Sequence, residues 1–406
     1  MYNQLFMAAL EGLRVSGQYR TFANINRIAG QYPLARLEST SDKEIVVWCS
    51  NDYLGMSSNP DVMRAMTATV ERYGVGSGGS RNISGNSALH LDLEASVAEW
   101  HGKEAALTFP TGYGSNDATL QCLLRFLPNV VVFSDAMNHA SIINGVRATA
   151  AKKHVFRHND VAHLRSLLAQ YPIDQPKLVI FESIYSMDGD VAPLADIVAV
   201  SKQYNALTFL DEVHAVGMYG PRGAGLAADL GLQDSVDIIQ ATLAKGVGVI
   251  GGYIASTKLL IDTVRSFAPG FIFTTAQVPG VVAASLASIE HLKTSDAERN
   301  ALHDKTLLLR RRLDEAGVPV MPESTTHILP VPVGDSELCR RAADHLLEQH
   351  GVYLQPINYP SVPRGTERFR VNATPNHTDQ QIEDLAHALK ETFTHFRIPL
   401  RERVSV

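Results

Sequence analysis

The chain has 406 residues, of which 45% are hydrophobic and 19% charged, with a formal net charge of −6. That balance excludes a disordered chain and leaves room for two domains around sizeable cores. No long run of Lys or Arg occurs, which argues against nucleic acid as the main partner.

The opening stretch, MYNQLFMAALEGLRVSGQYR, lacks the basic start and apolar core of a signal peptide. Its residues Leu5, Phe6, Ala9, Leu10 and Leu13 recur at helical spacing, which predicts an amphipathic helix packed on the body. Further on, LDLEASVAEWHG (91–102) and PLADIVAVSKQY (193–204) read as helices. NVVVFSD (129–135), KLVIFES (177–183), ALTFLDE (206–212), DIIQATL (237–243) and GGYIAST (251–257) read as strands. This alternation predicts an α/β fold, a mostly parallel sheet covered by helices on both faces. Ligands of such sheets bind beyond the carboxyl ends of the strands. The uncharged segment 266–289 is interrupted by prolines and glycines, so a buried loop-to-helix stretch is favoured over a membrane span. Residues 289–317 read as a long charged helical stretch. HILPVPVG (327–334) and RFRVNATP (368–375) read as strands, flanked by helices over 336–351 and about 378–396. The expected organisation is an N-terminal helix and arm (1–45), a large domain (46–290) and a smaller α+β domain (291–406). Cys49, Cys122 and Cys339 are widely spaced and form neither a metal pattern nor a disulfide framework, so a cytoplasmic location fits.

DEVHAVG (211–217) follows the apolar run ALTFL and puts two acids and a histidine at a strand end. Three chemistries compete for it: a metal site, part of a hydrolase triad, or a clamp on a charged organic cofactor. Metal is weakened by the lack of a second nearby His, although His139 could join from another strand end. The triad is weakened by the absence of GxSxG; Ser186 lies in a different context. Lys245, in ATLAKGVG, precedes a nearly chargeless stretch, where partial desolvation suits a lysine to Schiff-base chemistry. A solvated surface lysine is the bland alternative. A cofactor that takes a lysine and needs a carboxylate on its ring nitrogen is pyridoxal 5′-phosphate. Asp211 is then the ring-nitrogen partner and His214 a contact to the ring oxygen. Glu212, of opposite side-chain parity, is expected to be structural. TGYGSN (111–116), with Gly112 and Tyr113, opens a helical pattern and suits an anion, or is a plain helix cap. His139 could stack on the ring or be a satisfied core histidine. Thr274 and Thr275 could add phosphate contacts.

The sequence resembles the α-oxoamine synthases, pyridoxal-phosphate enzymes of fold type I, over nearly its whole length. The motifs that carry the likeness include VVWCSNDYLGM (46–56), RNISG (81–85), HGKEAAL (101–107), FRHND (156–160), FESIYSMDGDVAP (181–193), LDEVHAVGMYGPRGAG (210–225), SFAPGFIFTT (266–275) and NYPSVPRGTERFR (358–370). Within the family it is most similar to the members that condense glycine with succinyl-CoA. The resemblance implies a decarboxylating condensation to 5-aminolevulinate, CoA and CO2 by a homodimer with shared active sites. It matches Lys245 to the Schiff-base lysine, Asp211 to the ring-nitrogen partner, His214 to the ring-oxygen contact and His139 to the stacking ring. Ser186 and Thr242 match further cofactor contacts, and Thr274 and Thr275 match phosphate contacts from the neighbouring subunit. Arg370 matches the arginine for the glycine carboxylate, and Asn51 and Asn82 fall among substrate positions. Arg20, Ser134, Lys153 and Ser361 match acyl-CoA positions, with Arg20 set for the distal carboxylate.

Three departures stand out. Ser80 and Ser361 replace threonines, which keeps each hydroxyl and enlarges the acyl pocket by two methyls. KGVG replaces the family's KAFG after the lysine. A missing methyl changes discrimination by roughly 1–3 kcal/mol. The alternatives are therefore another α-oxoamine synthase with a different acyl-CoA or amino acid, and a noncatalytic binding protein on the same fold.

Overall fold

The computed structural model describes residues 1–19, 21–38 and 43–401. The chain divides into two compact units: Met1–Ser50 with Ser186–Asp190 and Asn300–Val406, and Asn51–Tyr185 with Val191–Arg299.

Seven strands of the second unit form one sheet: β1 (Ala105–Phe109), β2 (Val131–Asp135), β3 (Lys152–Phe156), β4 (Lys177–Glu182), β5 (Leu207–Asp211), β6 (Ile238–Thr242) and β7 (Gly252–Ser256). Their order is β1-β7-β6-β5-β4-β2-β3. Neighbours are parallel except at β7, which runs antiparallel to both β1 and β6. The mostly parallel sheet is as predicted. Every residue of β4 is buried, and so is all of β5 but its first, as a sheet covered on both faces requires. Two strands escape the sequence reading. AALTF of β1 directly follows a helical pattern, and β3 carries two lysines. As the edge strand, β3 leaves Lys152, Lys153 and Val155 exposed.

Phe109, Leu120, Val132, Ile180, Phe209, Ile238 and Ile254 belong to one buried cluster. Each side chain of that size contributes about 1.5–3 kcal/mol by leaving water. Helix α1 (Gly112–Phe126) starts directly against β7. A Cβ on Gly252 would stand 2.5 Å from Gly112 Cα and 2.6 Å from Ser115 Oγ, so this close approach needs a residue without a side chain. Segment 266–289 runs into the helix Pro279–Thr294 as expected, but its first part is not buried: Phe267 and Phe273 are 60% and 83% exposed. The charged stretch after it is not one continuous helix: Ser295 and Asp296 separate it from Ala297–Glu315. Ser295 is extended (φ −109°, ψ 131°), and its Oγ accepts from Ala297 N–H at 3.3 Å, a local bond that competes with the helix.

In the first unit the predicted helix forms over Tyr2–Val15, but its expected packing does not, since none of its residues is buried. Leu5, Phe6 and Leu10, its predicted apolar face, are 61%, 64% and 42% exposed. Ile25–Arg27, Leu34–Leu37 and Lys43–Val47 form an antiparallel meander, and the distant Val352–Tyr353 adds to it parallel to Lys43–Val47. A second sheet joins Leu329–Pro332, Arg368–Val371 and Pro356–Ile357. Trp48, Leu313, Leu346, Phe369, Leu385 and Phe393 share one core with these elements. The short excursion Ser186–Asp190 is tied down by Arg368 Nη1 on Asp188 at 2.8 Å and by Thr326 Oγ1 donating to Gly189 O at 2.8 Å. Among the described residues no helix is long and apolar enough to cross a membrane.

Candidate active site

Asp211 ends β5 and is 2% exposed. Its Oδ2 accepts from Asn116 Nδ2 at 2.9 Å and its Oδ1 from Val213 N–H at 3.0 Å. Burial raises its pKa above the ordinary carboxylate value; those two bonds and the charges of Lys245 and His139 pull the other way. In register with it stand Glu182 on β4 and Gln240 on β6, so three polar side chains share one level at the carboxyl ends of the strands.

His214 lies three residues past Asp211 and is 2% exposed. Its Nδ1 meets Tyr53 Oη at 3.0 Å, and Tyr53 Oη donates to Asn51 Oδ1 at 3.2 Å. Its Nε2 meets Lys245 Nζ at 2.8 Å. With both ring nitrogens bonded, the imidazole is fixed in orientation. Lys245 is half-buried in the turn after β6, as the chargeless stretch around it predicts.

His139 caps helix α2 (Ala140–Arg147) and accepts from Ser141 N–H. It keeps exposed surface, yet the burial of its ring lowers its pKa below the ordinary histidine value; Lys245 adds to that and Asp211 opposes it. Tyr113 meets it edge-on, with centroids 6.5 Å apart at 76°. Glu182 Oε1 accepts the His139 backbone N–H at 2.6 Å. Burial first, and the nearby Asp211 second, raise the Glu182 carboxyl well above its ordinary value.

Glu212 points away, as its parity requires. It is fully buried, accepting from Ser183 Oγ at 2.8 Å and from the backbone N–H groups of Leu226 and Ala227 at 3.1 and 2.7 Å. Burial outweighs these bonds and raises its pKa from 4.5 to about 7. A raised folded-state value means that its stabilising effect is full below the unfolded value and is lost as pH rises through about 7, roughly 3 kcal/mol in all. Urea denaturation is therefore expected to show falling stability from about pH 5 to 8, and Glu212→Gln to flatten that fall. The same slope in the variant would remove Glu212 as its source.

The remaining predicted positions divide. A Cβ on Gly112 would meet Thr242 Oγ1 at 2.8 Å, so the start of α1 lies directly on Thr242. Thr274 donates its hydroxyl to Gly270 O at 2.6 Å, and Thr275 pairs with Ser80. Asn82 is exposed in the wide turn Arg81–Gly85, closed by Gly85 N–H on Ser80 O at 2.9 Å. Ser134 is buried on β2, where its Oγ accepts from Asn138 Nδ2 at 2.9 Å; Lys153 is exposed on β3. Ser186, Ser361 and Arg370 belong to the first unit. There Ser361 lines a cavity of about 410 Å³ with Tyr19, Phe22 and Asn358, and Arg370 is buried on its strand. Arg20 lies outside the described residues. Three residues of this group escape the sequence reading of single side chains: Asn116, Tyr53 and Glu182. A signal for Glu182 exists, because FES and LDE end adjacent parallel strands in the same way.

The arrangement can serve a planar cofactor with a ring nitrogen and an anionic group. The groups bonded to the buried Asp211 are an amide and a backbone N–H, both neutral, which leaves its charge open to a cationic N–H partner. Thr111 Oγ1 caps Gly114 N–H at 2.9 Å, and the N–H groups of Gly112 and Tyr113 ahead of it favour an anion. No group of three His, Cys, Asp or Glu among the described residues is arranged to hold a metal ion. The metal reading of DEVHAVG therefore finds no support.

Residues 43–389 match the family model for class I and II aminotransferases. A 5-aminolevulinate synthase of Bradyrhizobium diazoefficiens is 49% identical over 99% of this chain and 98% of that protein. A mitochondrial 5-aminolevulinate synthase of Schizosaccharomyces pombe is 47% identical over 98% of this chain and 71% of that protein. Among solved structures, a serine palmitoyltransferase from S. paucimobilis with bound PLP-myriocin superposes with a TM-score of 0.88 at 30% identity, covering 97% of this chain and 98% of that one.

Proposed function

We propose, from the premise that the chain belongs to the 5-aminolevulinate synthase family of class I and II aminotransferases, that it condenses glycine with succinyl-CoA to 5-aminolevulinate, CoA and CO2. The observation that carries this reading is Lys245 Nζ at 2.8 Å from the fixed ring of His214, three residues past the buried Asp211. Pyridoxal 5′-phosphate, when bound, supplies an electron sink for a carbanion at an amino-acid α-carbon. Asp211 would hold the proton on its ring nitrogen, His214 would orient its ring oxygen, and His139 would lie against its face. Gly112, Tyr113 and Thr242 would hold the rest of it, and a role for Ser186 rests on the motif match. Lys245 Nζ is the base that takes the α-proton of glycine. A bond then forms from that carbon to the succinyl carbonyl, the thioester C–S bond breaks, and CoA leaves as its thiol. The glycine carboxylate departs as CO2, and the electron pair it leaves on that carbon takes up a proton. Roles for Arg370 at the glycine carboxylate, and for Arg20, Asn51, Ser80, Asn82, Ser134, Lys153 and Ser361 at the substrates, rest on the motif matches.

A homodimer, with Thr274 and Thr275 reaching the partner subunit's cofactor phosphate, completes the reading. What supports it is that Ile83 and Phe273, close in sequence to the paired Ser80 and Thr275, are 80% and 83% exposed. Three free cysteines agree with a cytoplasmic location.

The test is turnover with a set of acyl-CoAs and amino acids. Succinyl-CoA with glycine is expected to exceed acetyl-, hexanoyl- or octanoyl-CoA, and alanine or serine, by about tenfold or more in kcat/KM. Equal or better turnover with any of those acyl-CoAs would sink the succinyl assignment and favour another α-oxoamine synthase.

A further inference from the structure

The ring of His139 is held from behind by two donors. Its Nδ1 faces the backbone N–H of Ser141 at 3.2 Å and the hydroxyl of Ser141 at 2.7 Å. A backbone N–H can only donate, so Nδ1 carries a lone pair and the ring proton sits on Nε2. The direction of the hydroxyl is settled from its other side. Asn116 Nδ2 donates to Ser141 Oγ at 3.0 Å, and an amide N–H likewise cannot accept. The hydroxyl proton is thereby left for Nδ1. The second proton of the same Asn116 nitrogen goes to Asp211 Oδ2 at 2.9 Å. Ser141 and Asn116 are 1% and 2% exposed, which keeps water from competing for these bonds.

From this chain of atoms we propose that Ser141, oriented by Asn116, is a positioning residue that locks His139 as a neutral ring protonated at Nε2 and ties it to Asp211. The charges around His139 act in both directions. Asp211 favours protonation of the ring, while Lys245 and burial oppose it. Glu182 takes the His139 backbone N–H. A proton on Nδ1 would set N–H against two donors, so the Ser141 contacts add to the opposition. The use of the lock rests on the function proposed above: a neutral imidazole can lie on a cationic pyridinium ring, whereas an imidazolium would repel it. The tautomer itself is a property of the protein and can be measured without turnover.

The experiment is NMR of the holoenzyme labelled with 15N-histidine, with the His139 signal assigned by its loss in His139→Gln. Wild type is expected to show protonated Nε2, unprotonated Nδ1 and a titration displaced below the ordinary histidine value of about 6.5. In Ser141→Ala the backbone N–H still faces Nδ1 but the 2.7 Å hydroxyl bond is gone, so protonation of the ring is expected to move to higher pH than in wild type and cofactor affinity to fall about threefold to tenfold. Ser141→Thr is expected to restore the wild-type titration. A wild-type ring protonated at Nδ1 overturns the proposal, and that measurement decides even where Ser141→Ala does not fold. So does an unchanged titration in Ser141→Ala, where only the hydroxyl bond to Nδ1 is lost. Failure of the proposed function registers elsewhere, as absent turnover of glycine and succinyl-CoA.

Discussion

Lys245→Ala is expected to fold normally and to lose turnover by about 10⁴-fold. The residue sits half-buried in a turn and not in a core, so truncation leaves no large cavity. What it removes is the nitrogen 2.8 Å from His214 Nε2. The purified wild-type protein is expected to absorb in the visible through its lysine-bound cofactor, and the variant to lose that band. A colourless wild-type protein that takes up no cofactor would point instead to a noncatalytic binding protein on this fold. Circular dichroism of the variant separates lost chemistry from lost structure.

Asp211→Ala is expected to abolish measurable turnover as well, by at least about 10³-fold. Without the carboxylate the cofactor's ring nitrogen loses its proton and the electron sink weakens. Asp211→Asn isolates the charge from the shape. Burial raises the Asp211 pKa, so its charge costs the folded protein stability. The neutral amide can accept from Asn116 or from Val213 N–H but sets its NH2 against the other, which offsets the relief of the buried charge, so the Asn variant should melt close to wild type while remaining inactive. Near-normal kcat/KM in either variant would falsify the assignment of Asp211 to the chemistry. A large fall in melting temperature in Asp211→Asn would recast the residue as structural.

The residues proposed to carry the chemistry were legible because each borders an apolar run. Asp211 closes ALTFL, His214 follows in the same turn, and Lys245 stands before a chargeless stretch. The residues that hold them in place were not. Asn116 lies 95 positions from Asp211, and Tyr53 lies 161 from His214, so no local pattern links the partners. The same limit hid β3, whose two lysines break the apolar pattern of a strand because an edge tolerates charge. It also hid the exposure of the helix Tyr2–Val15. Helical spacing marks an apolar face but does not say what covers it.

The parallel pairing of Lys43–Val47 with Val352–Tyr353 sets an order for synthesis. Chains emerge from the ribosome N-terminus first, and domains fold as they become complete. All segments of the second unit are available once residue 299 has been made. The meander at 25–47 is made before any of them, yet its last strand waits roughly three hundred residues for its neighbour. During that wait a growing chain carries an open strand edge, a template for pairing with the wrong partner. Ribosome pausing after residue 50, while the large sheet is being made, would therefore prolong the exposure of that edge and lower the yield of folded protein more than the same delay in the first fifty residues.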